Sequence, residues 1–294
     1  MANVLKRDRQ MAVLHMLTEG SSIRATERIT GVHRDTICRL VVGFGNRCRD
    51  FLDDQMRGLK LAHLQVDEQW TFVGKKQDRL TIDERAECWD VGDIFLWTIL
   101  DKDTKLVPTF ALGKRSADNA RRFMVDVRSR LAPLGTLEYP TVQISTDGFA
   151  AYPEAVDLAF GTLARYGVII KEFRNATMNY TPSEMVRARR YAHRAIIGNQ
   201  KRTICTSHVE RHNLTNRTFM KRFNRLTICF SKKLENLAAA CAMYLAYYNN
   251  CWCPRWPGST SRKRPAPAMA AGLTLHAWTF AELFDTVMPA KQIA

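Results

Sequence analysis

The sequence predicts an α/β protein: a mixed five-stranded sheet flanked by helices, with a small all-α domain ahead of it. Three observations support that class. Residues 9 to 40 space apolar positions as short helices around Gly-containing breaks. From His63 the pattern switches to strand-like alternation, and four further strand-like stretches follow by Lys171. Helical stretches then separate the later strands and close the chain. At 294 residues, 46% hydrophobic and 25% charged, the chain has the balance of a folded protein with a sizeable core. No apolar run reaches the roughly 18 residues of a membrane span, so no membrane partner is expected. The N-terminus, Met1-Ala-Asn-Val-Leu-Lys-Arg-Asp, is charged where a signal peptide needs an apolar centre, so a cytoplasmic location is expected. Cysteines 38, 48, 88, 205, 229, 241, 251 and 253 are irregularly spaced, which fits reduced thiols better than a disulfide framework.

The N-terminal part, residues 1 to 60, reads as helices throughout. Arg9 to Leu17 forms a first helix, and Glu19-Gly20-Ser21-Ser22 breaks it. Ser22 is placed to cap a second helix, Ile23 to Thr30, because its hydroxyl can accept from a free N–H of the first turn. Gly31-Val32 makes a tight turn, and a third helix runs from His33 through Leu40. Helix, short Gly turn, helix is the helix-turn-helix pattern, and it puts Arg34, Asp35, Thr36 and Arg39 on the outer face of the second of the pair. Arg34, Thr36 and Arg39 are therefore candidate contacts to double-stranded DNA; an ordinary helical connector has the same period. Residues 46 to 60 read as a charged linker helix ending near Gly58.

Residues 61 to 250 carry the α/β pattern. His63, Gln65, Asp67, Gln69 and Thr71 alternate with Leu64, Val66, Trp70 and Phe72, which is a half-buried strand. Glu68 falls on the apolar side of that alternation, where it fits badly. Ile94 to Leu100 is a second strand, Asp101 to Thr104 a turn, and Lys105 to Ala111 a third strand. Ser116 caps a helix running to about Leu131, with Phe123, Val127 and Leu131 as its stripe. Thr141 to Ser145 is a fourth strand, Ala151 to Phe160 a helix and Tyr166 to Lys171 a fifth strand; helices over Ser207 to Phe223 and Lys232 to Tyr248 follow. Three strands, helix, strand, helix, strand, helices is the element order of the RNase H fold. Residues 251 to 294 read as a basic C-terminal extension.

The net charge is +15, and residues 171 to 233 hold fifteen Lys/Arg against three Glu, a local balance of +12. Phe173, Tyr180, Tyr191, Phe219 and Phe223 interleave with it. An excess so concentrated on a folded surface points to nucleic acid. Three acids fall where the RNase H order carries them: Asp67 in the first strand, Asp147 just past the fourth, and Glu210 one turn into a late helix. Phosphoryl transfer at a phosphodiester uses two divalent cations about 3.5–4 Å apart, clamping the attacking and leaving oxygens. Carboxylate ligands suit Mg²⁺, with Mn²⁺ as a substitute. Each acid has a purely structural alternative: Asp147-Gly148 is a common turn pair, Ser207-x-x-Glu210 is a capping box, and Asp67 could be a solvated strand residue. Helical spacing puts Asn213 and Arg217 on the Glu210 face, where they could order a ligand or contact DNA; Lys221 and Arg222 extend the basic run.

Other chemistries find little support. There is no Gly-rich phosphate loop, and no Ser or Cys nucleophile has a partnered base. His208 and His212 have the spacing of a helical zinc pair, yet the glutamate between them stands one position later than in His-Glu-x-x-His. Cys251-x-Cys253 lacks a second pair at zinc-site spacing.

At these residues the chain resembles the insertion-sequence-one transposases of prokaryotic mobile elements. The resemblance rests on Asp67-Glu-Gln-Trp-Thr-Phe-Val-Gly74, Thr146-Asp-Gly-Phe-Ala-Ala-Tyr152 and His208-Val-Glu-Arg-His-Asn-Leu-Thr-Asn-Arg217. Leu226-Thr-Ile-Cys-Phe-Ser-Lys-Lys-Leu-Glu235 and Pro267-Ala-Met-Ala-Ala-Gly272 add to it. It implies that Asp67, Asp147 and Glu210 form a metal-binding DDE triad on an RNase H-like core. It also implies an N-terminal helix-turn-helix that reads terminal inverted repeats, a homo-oligomer on DNA, and a place beside the nucleoid. Two features depart from the family. The zinc-binding cysteines that some members carry before the helix-turn-helix are missing, and residues 249 to 263 replace an Arg/His-bearing stretch. A catalytically silent regulator of transposon ends and a non-transposing RNase H-fold nuclease are the alternatives.

Overall fold

In the computed structural model, which describes residues 5–174, 184–194, 196, 198–224, 228–254 and 263–289, the apolar spacing of the N-terminal region builds three helices. These are α1 (Arg7–Thr18), α2 (Ile23–Thr30) and α3 (Arg34–Gln55). Ser22 caps α2 by accepting the Ala25 N–H at 3.1 Å, and Gly31 ends it in the left-handed region at φ 68°. The expected third helix and linker helix are one continuous element. Ile37, Val41, Phe44, Cys48 and Leu52 form a single buried stripe at helical spacing, so nothing in the packing calls for a break.

The sheet is six-stranded among the described residues, in the order β3-β2-β1-β4-β5-β6. Its strands are β1 (His63–Val73), β2 (Gly92–Asp101), β3 (Phe110–Gly113), β4 (Val142–Thr146), β5 (Ala164–Arg174) and β6 (Glu184–Arg194). β1 runs antiparallel to β2 and parallel to β4, β4 is parallel to β5, and β6 returns antiparallel to β5. A short helix, α4 (Ile82–Glu87), sits between β1 and β2; α5 (Ala117–Arg130) and α6 (Tyr152–Phe160) pack together beside the sheet. The expected five strands are thus corrected to six. β6 has no apolar alternation to announce it: small Ala188 and Ala192 face inward and Arg187, Arg189 and Tyr191 face outward. β3 also starts later than Lys105. Val107 spends its backbone N–H and C=O on the side-chain amide of Asn249, at 3.1 and 2.9 Å, instead of on a neighbouring strand.

The chain continues through α7 (Ser207–Phe219), α8 (Leu234–Asn250), α9 (Pro267–Ala270) and α10 (Phe280–Val287). α7 stops at Phe219, short of the expected Phe223, and a single 3-10 turn covers Lys221–Phe223. α8 is buried over most of its length and lies tightly on α3: a Cβ built on Gly45 would meet the Ala239 carbonyl oxygen at 2.2 Å. One apolar cluster joins Val13, Phe44, Leu64, Ile99, Val127, Leu245 and Phe284. α10 docks through Phe284, whose ring lies 5.6 Å from that of Phe44. Residues 255–262 of the departing stretch, and Tyr180, Arg225 and Leu226, lie outside the described residues. Among the described residues no helix is long and apolar enough to cross a membrane.

Candidate active site where the first and fourth strands part

The polar side of β1 is not solvated; it is the seat of α7. Gln65 Oε1 accepts the backbone N–H groups of His208 and Val209 at 3.0 and 3.2 Å, capping the start of the helix from the sheet. Gln69 Nε2 donates to the Asn213 carbonyl at 3.0 Å, and Asn216 Nδ2 donates back to Gln69 Oε1 at 3.1 Å. Thr71 donates to the Arg222 carbonyl at 2.8 Å. The alternation that identified β1 therefore builds a polar zipper, with Asp67 at its centre.

Pairing between β1 and β4 ends at Gln65 and Ser145, so the two parallel strands part just before Asp67 and Asp147. The parting leaves a notch. Asp147 lies in the turn after β4, where its Oδ1 accepts the Phe149 N–H at 3.0 Å. Asp67, Glu68 and Asp147 each bring a carboxylate oxygen within 4.8 Å of the others'. Asp67 comes from the α7 face of β1 and Glu68 from the opposite face. The latter is 1% exposed at its side chain, beside the buried Tyr152. Glu68 Oε1 makes no hydrogen bond among the described residues.

Glu210, on α7, is near enough to act on Asp67. Its Oε1 accepts the Thr206 hydroxyl at 2.5 Å and ion-pairs with Lys171 of β5. The capping-box explanation of Glu210 does not hold, because Thr206, not Ser207, stands at the N-cap and its own side chain accepts no backbone N–H of the first turn. One turn on, Asn213 Nδ2 donates to Asp67 Oδ2 at 2.7 Å. Opposite, Arg115 spans Asp147 at 3.4 Å and Glu68 at 3.8 Å, its guanidinium 4.2 Å over the Phe149 ring.

The charge balance inside the notch is unfavourable without a cation. Burial, then repulsion by Asp147 and Glu210, pushes Asp67 up to about 7, against the opposing hydrogen bonds from the Glu68 N–H and Asn213. Burial and Asp147 likewise push Glu68 up to about 7, although Tyr152 and Arg115 pull the other way. Hard, crowded carboxylate oxygens, one of them buried and unbonded, are the donor set a divalent cation takes. Asp67, Glu68 and Asp147 form a group able to hold such an ion. Glu210 lies outside that tight group yet near enough to act on Asp67.

The remaining predicted residues divide. Arg34 and Arg39 are exposed on α3 and Thr36 is half-buried, with Arg39 donating to the Thr36 hydroxyl at 3.4 Å. Lys221 is exposed and Arg217 half-buried. Two of the residues expected to order a ligand or contact DNA have partners inside the protein, and for Asn213 the ligand-ordering alternative is the one seen. Asn213 is 4% exposed and holds Asp67. Half-buried Arg222 donates to the Ser231 hydroxyl at 2.6 Å, and burial holds its pKa below the usual range. His212 lies buried against Tyr248, with ring centroids 4.5 Å apart, and burial pushes it down to about 3. His208 turns instead to Lys105, at 3.2 Å, so the two imidazoles do not form a zinc pair. Glu68, Arg115 and Lys171 were not foreseen. Only Glu68 left a signal, as a charge on the apolar side of a strand.

No protein-family model matches the chain, and no curated protein matches it. Among solved structures it is similar to a piggyBac transposase in a synaptic complex with hairpin DNA. The TM-score is 0.38 and the identity 11%, over 100% of this chain and 75% of that one. A likeness so slight carries no argument about fold or function.

Proposed function

We propose that this chain is a DDE-type DNA transposase of the insertion-sequence-one kind, cutting and joining strands at the ends of a mobile element. The observation that carries the proposal is the meeting of Asp67 and Asp147 where β4 ends and β1 runs on, with Glu210 of α7 near enough to act on Asp67, on a chain of net charge +15. The motif blocks around the same three acids support the family.

In this reading Asp67, Asp147 and Glu210 hold Mg²⁺ or Mn²⁺, with Glu68 as a further oxygen donor. The ions supply Lewis-acid stabilisation of charge on the attacking and leaving oxygens. Asn213 fixes the orientation of Asp67. Arg115 and Lys171 balance the carboxylates of Asp147 and Glu210 while the notch is without substrate. Residues 1–60 read the terminal repeats through Arg34, Thr36 and Arg39, residues 61–250 carry the chemistry on an RNase H-like core, and a homo-oligomer pairs the two ends in a prokaryotic cytoplasm.

The test is Asp147→Asn, which keeps volume and removes one negative ligand. Mg²⁺-dependent cleavage and joining of element-end DNA should vanish while gel-shift affinity stays within about three-fold of wild type, since binding rests on Lys and Arg. A wild type that binds ends but never cuts them with Mg²⁺ or Mn²⁺ would leave the silent regulator as the function.

A further inference from the structure

The last two strands outrun the sheet. β4 pairs with β5 only over Ala164–Val168; beyond it, β5 residues 169–174 pair with β6 alone. One face of this ribbon is closed, because Ile169, Ala188 and Ala192 pack on Ile196 and Ile204. The other face is buried at Val168 and exposed at Ile170, Glu172, Arg187, Arg189 and Tyr191. Register places Ile170 opposite Arg189, Glu172 opposite Arg187, and Val168 opposite Tyr191. Ile170 and Tyr191 are each 43% exposed, and Arg187 and Arg189 are exposed beside them. The open face begins at the candidate active site: a Cβ on Gly148, next to Asp147, would touch Ile170 at 3.4 Å.

We infer that the open face of the β5–β6 ribbon binds the DNA flanking the phosphate held at the notch; this rests on the reading of the notch as a DNA-cutting site. Charge selects the partner. The two strands carry seven Lys/Arg against two Glu, a balance of +5. Spacing sharpens it. Arg187 and Arg189 are two strand residues apart, about 6.6 Å, which lets their guanidinium groups reach successive phosphates of one DNA strand. Ile170 and Tyr191 lie between and beside them, giving sugars and base edges an apolar floor. Glu172 spoils the match by pairing with Arg189 at 3.0 Å, and that ion pair supplies a test of opposite sign.

The experiment is fluorescence anisotropy with a duplex oligonucleotide in EDTA, where no cutting can occur, over about 50–200 mM salt. Arg187→Gln with Arg189→Gln should weaken binding about ten-fold and flatten the log–log salt slope by about 2, roughly 0.9 per lost phosphate contact. Glu172→Gln frees Arg189 and should tighten binding about two-fold or more, a gain that misfolding cannot mimic. Arg85→Gln with Arg122→Gln, at exposed positions on α4 and α5, removes the same charge elsewhere and should leave the slope unchanged. Equal slopes for the two double variants, or no gain from Glu172→Gln, would overturn the inference. A wild type that shows these binding effects but never cleaves would refute the proposed function and leave the ribbon surface standing.

Discussion

Asp67→Asn tests whether the notch is built for a cation at the expense of the metal-free fold. The carboxylate sits at about 7 in the folded chain against an ordinary 3.8, chiefly through burial and the nearness of Asp147. Protonated Asp67 therefore favours the folded state: its contribution is complete below about pH 3.8 and is lost as pH rises through about 7. Three units at about 1.4 kcal/mol each cap the penalty of ionised Asp67 near 4 kcal/mol. Part of that belongs jointly to Glu68 and Asp147, and the lost carboxylate also gave up hydrogen bonds, so a net gain of about 1–2 kcal/mol is the reasoned value. The substituted amide can keep its link to Asn213, whose Oδ1 has no partner among the described residues and would face the new NH₂ group once Asn213 flips. For a chain of this size the gain raises the melting temperature by about 2–6 °C. The assay is thermal unfolding by circular dichroism in EDTA at pH 8 and pH 4.5. The variant should melt higher at pH 8 and nearly with wild type at pH 4.5, and Mg²⁺ should stabilise wild type alone. A gap independent of pH, or a variant less stable at pH 8, would refute the electrostatic account.

Arg115→Ala removes the guanidinium that balances Asp147 and Glu68, so Mn²⁺ measured by isothermal titration without DNA should bind a few-fold tighter. Unchanged or weaker binding would mean that Arg115 does not compete for those oxygens. Arg34→Ala or Arg39→Ala should lower affinity for element ends more than for unrelated DNA; an equal loss on both would mark them as phosphate contacts. Gly45→Ala drives a methyl into the Ala239 carbonyl, and urea denaturation should show a loss of about 3 kcal/mol or more. The helix propensity gained, about 1 kcal/mol, is too small to offset it; stability equal to wild type would show that α3 and α8 separate easily.

Local chemistry wrote most of the elements into the sequence. Ser22 and Gly31 bound α2, Ser116 starts α5, and the alternation from His63 onward is β1, because caps and side-chain periods act within a few residues. The places of Asp67, Asp147 and Glu210 in the element order were legible for the same reason. What lay beyond reach depended on contacts distant in the chain. Val107 leaves the ladder for Asn249, 142 residues away, and β6 is a strand because β5 offers it an edge, not because its own pattern demands one. The polar side of β1 looked solvent-facing, since alternation separates two faces without saying what covers either; α7 covers it, so Asn213 takes up the ligand-ordering one of its two expected roles, at Asp67, and the Arg222 carbonyl is held by Thr71. Glu68 joins the cluster only because β4 ends while β1 continues, letting carboxylates from opposite faces of one strand meet across the gap. Sequence order set which acids could be used, and the parting of two parallel strands decided which of them come together.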